Sequence, residues 1–304
     1  MDALLSMSRG FLYNLSMLKI TIVGFGRVGA SMVLALDGAG IPVQRVIVRG
    51  VGPKESMGGI SRPTVTWDEW SILDSNVVII ATGDSDIAEV DQRLSSMDGI
   101  AECAVIHTSG LLSSDVLSNC REAGASVASM HPLSSFPDAA TGSTRFKGVS
   151  FCLEGERSAV VVAEEIASAL GGETFTIASE AKALYHAAAV MACGHLVALI
   201  SESLNMLEKC GLTRDVALTR LKPLVMGTVE NLFANGPSSS VTGPFARLDG
   251  MAVSKDMLAV DKMNDETLSI IFRNLGVITV KLALENGGDV DKGSKVLREI
   301  LMEK

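Results

Sequence analysis

Short apolar runs alternating with stretches of helical period organise the first half of the chain. Lys19-Ile20-Thr21-Ile22-Val23 is a β-branched run that breaks at Gly24-Phe25-Gly26-Arg27-Val28-Gly29. Apolar positions then recur at helical spacing through Val28, Met32 and Leu36, until Gly38-Ala39-Gly40 stops them. Further runs follow at 43–48, 76–81, 104–107, 127–130 and 149–153, with helical stretches and Ser/Gly/Asp turns between most of them. Continuous apolar strands separated by helices indicate a parallel sheet covered on both faces. The pattern therefore predicts a doubly wound, mainly parallel α/β domain over residues 19–153, preceded by an extension over 1–18. Beyond it, one more short run (173–177) is set among helical patterns at 157–170, 180–209, 213–234, 251–262, 265–285 and 290–303. A Gly- and Ser-rich stretch, 235–250, interrupts these, and no repeat of 20–50 residues is visible. The second domain is expected to be all-α, over 154–304.

Composition narrows the class. Of 304 residues, 47% are hydrophobic and 20% charged, which excludes a disordered chain and leaves ample material for a core. Lys plus Arg number 26 against 35 Asp plus Glu, a formal charge of -9 with no basic run. Such a chain has no electrostatic footprint for nucleic acid or an anionic membrane. The 5 cysteines are an odd number, widely spaced and without a CxxC pair, which fits reduced thiols and a cytoplasmic location. The 4 histidines show no ligand spacing, so no metal is expected. Asp2 and Arg9 fall in the wrong places for a signal peptide, and Met17 could itself begin the protein. Ala183–Ile200 carries no Asp, Glu, Lys or Arg and just reaches membrane length, but it is rich in Ala and holds two His and a Gly. A buried helix within the helical domain is the expectation there.

The turn Gly24-x-Gly26-x-x-Gly29 leaves a strand and opens a helix, the context in which a dinucleotide-binding fingerprint carries weight. Gly24 lets the chain turn sharply, Gly26 lets the backbone approach a pyrophosphate, and Gly29 lets helix and strand pack closely. Phe25, Arg27 and Val28 fill the remaining places of this cofactor-binding turn. The helix N-terminus offers unpaired N–H groups and partial positive charge to phosphates. About 20 residues on, where a carboxylate would bind the ribose 2′-hydroxyl of NAD, stands Arg49. A guanidinium there suits a 2′-phosphate, so NADP is favoured over NAD, and Lys54 could add charge. A solvated loop arginine is the plainer alternative.

Polar groups gather at strand ends, where open parallel sheets bind ligands. Thr82-Gly83-Asp84-Ser85 follows one run, with Thr82 and Gly83 candidates for cofactor contact and Asp84 read as a helix cap. His107-Thr108-Ser109-Gly110 follows the next, with Ser109 a candidate for cofactor or substrate. His131, held extended by Pro132, ends a third and is the first histidine expected to line a site; reduction of a carbonyl or imine needs a proton donor, and His titrates near neutral pH, while the plainer alternative is a structural His that hydrogen-bonds a loop carbonyl. On the helix opened by Ser179 as its cap, Lys182, Tyr185 and His186 share one face and all can donate a proton. A solvated Lys182 at a helix start, beside an amphipathic Tyr–His pair, is the alternative account. His195 reads as a core or interface histidine.

Taken together, GFGRVG at 24–29, HTSG at 107–110, HPLSSFP at 131–137, KALYHAAAVMA at 182–192 and GPFARLDG at 243–250 resemble the Rossmann-like oxidoreductases that carry the domain of unknown function 2520. These are relatives of pyrroline-5-carboxylate reductase, 3-hydroxyisobutyrate dehydrogenase and 6-phosphogluconate dehydrogenase. The resemblance implies an N-terminal NADP-binding Rossmann domain and a helical C-terminal domain of the 6-phosphogluconate-dehydrogenase type, often dimeric. In the wider superfamily a helix supplies a catalytic Lys with Asn one turn later; here Lys182 is followed by His186. Where the family reads Ala-Ser-Asn after the alanine run, this chain has Ala192-Cys193-Gly194, which puts a contact at Gly194 in doubt. Arg247 and Asp249 match the closing motif and could bind an anionic substrate group or form a structural ion pair. The expected activity is hydride transfer between NADP and a small C=O or C=N compound at the domain junction, in a homodimer built through the helical domain. A non-catalytic, NADP-binding dimeric sensor is the alternative.

Overall fold

The computed structural model describes residues 17–50 and 64–302. Residues 1–16 of the expected extension, and Lys54, lie outside the described residues. Among the described residues, eight strands form one sheet: β1 (Ile20–Val23), β2 (Val43–Val48), β3 (Thr64–Thr66), β4 (Val77–Ile80), β5 (Ala104–His107), β6 (Ser126–Pro132), β7 (Ser150–Gly155) and β8 (Glu173–Thr176). Their order is β3-β2-β1-β4-β5-β6-β7-β8, and every pairing is parallel except the antiparallel β6–β7. The connections therefore leave β1 in opposite directions, toward β2 and toward β4, which opens a crevice at the C-terminal ends of those strands.

Strand alternation gives the sheet two buried faces. Ile20, Ile22, Val77, Ile79, Ala128, Met130, Phe151 and Leu153 pack with α1 (Arg27–Gly38) and α5 (Arg157–Ala169). Val23, Val78, Ile80, Val105 and Val127 face the other way, onto α2 (Asp84–Ser95) and α3 (Ser118–Glu122). A short helix, α4 (Ala139–Ser143), lies beside α1. The sheet continues past residue 153: α5 packs on β6, β7 and β8, and the compact units are Met1–His195 and Leu196–Lys304. The boundary predicted at 153/154 is displaced because β8, short and exposed, is paired in parallel with β7 and is an integral strand of the sheet.

The expected long helix over 180–209 begins later and is broken in register. Ser179–Ala181 forms a 3₁₀ turn, so Ser179 is not a cap; α6 (Lys182–Val190) follows, then one π-helical turn at Met191–His195, then α7 (Leu196–Lys209). Gly194, the position that departs from the family pattern, sits inside that π turn. The helix is not buried as predicted: Leu184, Met191 and Val197 are exposed, and so is His195. By length and composition Ser179–Lys209 and Glu266–Glu285 could each cross a membrane.

The second unit continues with α8 (Arg214–Asn235), α9 (Pro237–Ser240), α10 (Gly243–Ala246), α11 (Gly250–Asp261), α12 (Glu266–Glu285) and α13 (Val290–Met302). Its core joins Leu248, Val253 and Met257 with Val280 and Ala283 of α12 and Val296 and Ile300 of α13. The α12 helix has a second apolar row, Ile271, Leu275 and Ile278, at i, i+4 and i+7, and this row is exposed.

Candidate active site

The glycine turn is built as its spacing demands. Gly24 has φ +97°, and a Cβ there would stand 2.8 Å from the Ala81 carbonyl and the Thr82 nitrogen, so only glycine lets this turn lie against the end of β4. At Gly29 a Cβ would fall 2.2 Å from the Gly24 oxygen, which fixes how closely α1 approaches β1. Gly26 is different: it is exposed, and a Cβ would meet nothing within 4 Å. Gly26 also precedes α1 as its N-cap, with no side chain capping it and no acidic residue in the first turn. Open space, free helix-end N–H groups and an absence of negative charge together fit a phosphate ligand. Phe25 and Val28 pack onto the core beneath, and Arg27 is exposed.

Two neighbouring segments complete this end of the sheet. Gly24 donates its N–H to the Ile47 carbonyl at 2.9 Å, which sets Arg49 two residues beyond that contact. Arg49 is not a free loop side chain: its Nη2 lies 2.7 Å from Asp86 Oδ1 and 3.2 Å from Glu89 Oε2, both on α2, and hydrogen bonding to Asp86 raises the guanidinium pKa further. The N-cap of α2 is Gly83, not Asp84, which already lies within the helix. Thr82 donates its hydroxyl to the Gly83 carbonyl at 3.2 Å.

A second polar group continues the buried sheet face that carries Val105 and Val127. Period-two alternation puts His107 of β5, Ser129 and His131 of β6 on that face. The antiparallel register sets Cys152 opposite His131 and Glu154 opposite Ser129. The first turn of α6 lays Lys182, Tyr185 and His186 over this patch. Lys182 is 1% exposed and donates to the Ser109 carbonyl and to Ser129 Oγ, each at 2.8 Å. His131 Nδ1 and the Tyr185 hydroxyl share a hydrogen bond of 2.7 Å, with the rings edge to face. Glu154, also buried, accepts from the Ser114 N–H at 2.7 Å and the Ser114 hydroxyl at 2.9 Å.

His107 holds the loop that supplies the Ser109 carbonyl. Its Nδ1 accepts the Ser109 N–H at 3.2 Å, so Nε2 bears the hydrogen and donates to the Ser113 carbonyl at 3.2 Å. Ser109 Oγ in turn accepts from the N–H groups of Leu111 and Leu112. Gly110 is squeezed between imidazoles: a Cβ there would lie 2.8 Å from His131 Nε2 and 2.9 Å from His186 Nδ1.

Burial dominates the electrostatics. It lowers the Lys182 pKa, an effect that Cys152, Glu154 and Asp84 partly offset. Burial, together with the Lys182 charge, brings both His107 and His131 down to about 4, so both imidazoles are neutral at neutral pH. Burial pushes the Tyr185 phenol up, with Cys152 adding to it. The patch thus holds a lysine that releases its proton more readily than usual beside neutral, hydrogen-bonded partners.

The structure brings together His131, Lys182, Tyr185, His186 and the Ser109 backbone, all expected from sequence; it removes the solvated account of Lys182. It adds His107, Gly110, Ser129, Cys152 and Glu154. Alternation in 127–131 (apolar 128 and 130, polar 129 and 131) and in 151–154 was the available signal for three of these. In the second unit Arg247 is exposed after α10, while Asp249 caps α11 by accepting from the Ala252 N–H. A cavity of about 590 Å³ on the first unit shares Glu154 with the Lys182 patch and is otherwise lined by Asp115, Arg121, Glu156 and Glu180 among others. Of the residues singled out from sequence, Ser179 alone lines it, and none of the candidate catalytic, cofactor or substrate residues does.

Residues 149–278 match the family model described as the domain of unknown function 2520. No curated protein matches the chain. Among solved structures, a protein from Thermotoga maritima is similar at 23% identity and a TM-score of 0.69, over 88% of this chain and 99% of that one. A Plasmodium falciparum pyrroline carboxylate reductase with NADP bound is similar at 14% identity and a TM-score of 0.56, over 86% and 99%. The reductive aminase from Aspergillus terreus, in complex with NADPH and ethyl-5-oxohexanoate, is similar at 16% and 0.65, over 91% and 98%. At these identities the likeness is one of fold, the Rossmann sheet followed by a helical half that the sequence pattern predicts.

Proposed function

This chain carries the domain of unknown function 2520 on a fold it shares with NADP-dependent reductases, and from that premise we propose that it is an NADP-dependent oxidoreductase acting on a small C=O or C=N compound. The observation that carries the reading is Lys182, buried among Ser109, Ser129 and the His131–Tyr185 pair beyond a glycine turn with an open Gly26. The turn and the first N–H groups of α1 would hold a pyrophosphate, with Thr82 and Gly83 beside it and Arg49 toward a 2′-phosphate. Bound there, the nicotinamide cofactor supplies or accepts the hydride.

The chain's own residues handle the proton. Lys182 holds it at Nζ, and burial makes that ammonium a stronger acid than a solvated lysine. Ser129 Oγ and the Ser109 carbonyl fix the ammonium's direction, and His107 fixes that carbonyl. The neutral His131 and protonated Tyr185 orient the polar end of the substrate. The helical half forms a homodimer, because the exposed row Ile271, Leu275 and Ile278 is an apolar face that this chain leaves in water. Five free cysteines suit a cytoplasmic location.

The test is a titration with NADPH followed by a rate screen of 2-oxo acids, 3-hydroxy acids and cyclic imines, on wild type and Lys182→Met. Saturable turnover that falls by about 100-fold in the variant, with NADPH affinity changed by less than about threefold, is the expected result. NADPH binding without turnover of any compound would favour the sensor reading, and no NADPH binding would end both.

A further inference from the structure

We propose that Asp86 and Glu89 are cofactor-selectivity residues, which weaken the preference for a 2′-phosphate by occupying Arg49. This rests on the nicotinamide-cofactor reading above and extends it to residues outside the glycine turn.

Three segments converge at the crevice. The glycine turn is hydrogen-bonded to β2 through Gly24 N–H and the Ile47 carbonyl, and it lies against the β4–α2 link at Ala81 and Thr82. Arg49 extends from the β2 side, and Asp86 and Glu89, three apart on one face of α2, reach it from the other. The position that reads the cofactor's ribose in this fold is therefore not one arginine but an arginine with two carboxylates on a single nitrogen, Nη2. The trio has one positive and two negative formal charges.

That balance changes the selectivity argument. An isolated guanidinium favours a phosphate dianion by charge-assisted hydrogen bonding. Here the phosphate must displace carboxylates from Nη2 or approach within their field, and like charges a few ångströms apart repel. A ribose 2′-hydroxyl meets no such repulsion and can donate to either carboxylate. Arg49 and Glu89 are 63% and 60% exposed, so water and salt screen that pair and keep its effect modest, while Asp86, at 25%, is the less screened of the two acids. The acid pair thus draws the affinities for the phosphorylated and unphosphorylated cofactors together.

The experiment is a fluorescence titration of the full chain with NADPH and with NADH, for wild type, Asp86→Asn/Glu89→Gln, Glu89→Gln alone, and Arg49→Ala. The double variant should raise the NADPH:NADH affinity ratio by about tenfold, through tighter NADPH binding with NADH nearly unchanged. Glu89→Gln alone should move it about threefold the same way, and Arg49→Ala should lower it. A ratio unchanged within about twofold overturns the proposal. A ratio that falls also overturns it, since the acids would then be holding Arg49 in place for the phosphate. If wild type binds neither cofactor, the nicotinamide reading itself fails and takes this one with it; binding of both with an unmoved ratio sinks the selectivity role alone.

Discussion

Gly26 and Gly29 are three residues apart and stand in opposite surroundings, one before open space and one against the Gly24 carbonyl. At Gly26 the backbone is extended and a methyl group has room, so Gly26→Ala should leave the thermal midpoint nearly unchanged while weakening NADPH binding by about tenfold, the methyl standing where a phosphate approaches. At Gly29 a methyl collides with the Gly24 carbonyl, so Gly29→Ala should cost about 2 kcal/mol or more, read as a lowered urea midpoint. His107 gives a residue-scale prediction in pH. Its folded-state pKa of about 4 lies below the usual 6.5, so between those values the unfolded chain binds more protons. Stability is then full above about pH 6.5 and falls as the pH drops toward 4, by about 3 kcal/mol at most from this group. His131 acts in the same direction. Urea midpoints measured across that window should fall less steeply in His107→Asn than in wild type; an equal slope would remove His107 as a source. Of these residues the glycines were legible because their spacing is itself the structural requirement. His107 carries no role that its motif reveals, since neither burial nor tautomer is written in one position.

At the scale of elements, alternation and period served well where an element is long and one-sided. The strands β1, β2 and β4 to β8 and the helices α5, α8, α11, α12 and α13 stand within a few residues of the expected limits. β3 escaped notice because it is three residues long and only partly covered. Ending β6 at Met130 and β7 at Leu153 concealed that Ser129, His131, Cys152 and Glu154 share a face. Lys182 shows the limit of helical spacing: it tells which residues share a side and not what stands opposite. Asp249, from its motif either a substrate contact or half of a structural ion pair, caps α11. Asp249→Ala should therefore cost about 1 kcal/mol, with Asp249→Asn retaining most of it, measured by urea unfolding. NADPH affinity should be the same in both variants.

For the molecule as a whole, the strongest expectation concerns association. The second apolar row of α12 and residues of α8 such as Leu224 and Phe233 are large apolar side chains left exposed, the kind of surface that a partner covers. Light scattering should give twice 31.9 kDa, and Leu275→Glu with Ile278→Glu should shift the mass toward a single chain. A wild-type monomer would discard the dimer; a wild-type protein that partitions onto neutral vesicles would give those faces to lipid instead. The strand order carries a consequence of another kind, for how the chain is made. Synthesis delivers β1 first, and β2 and β3 then extend the sheet on one side of it. β4 then takes the other edge of β1, and from β5 to β8 each new strand joins the outer edge of the one before. No strand has to be inserted between two that are already paired. The sheet can thus be laid down in the order it leaves the ribosome, with growth stopping at two short strands, β3 and β8, whose brevity leaves little edge for a neighbouring chain to capture.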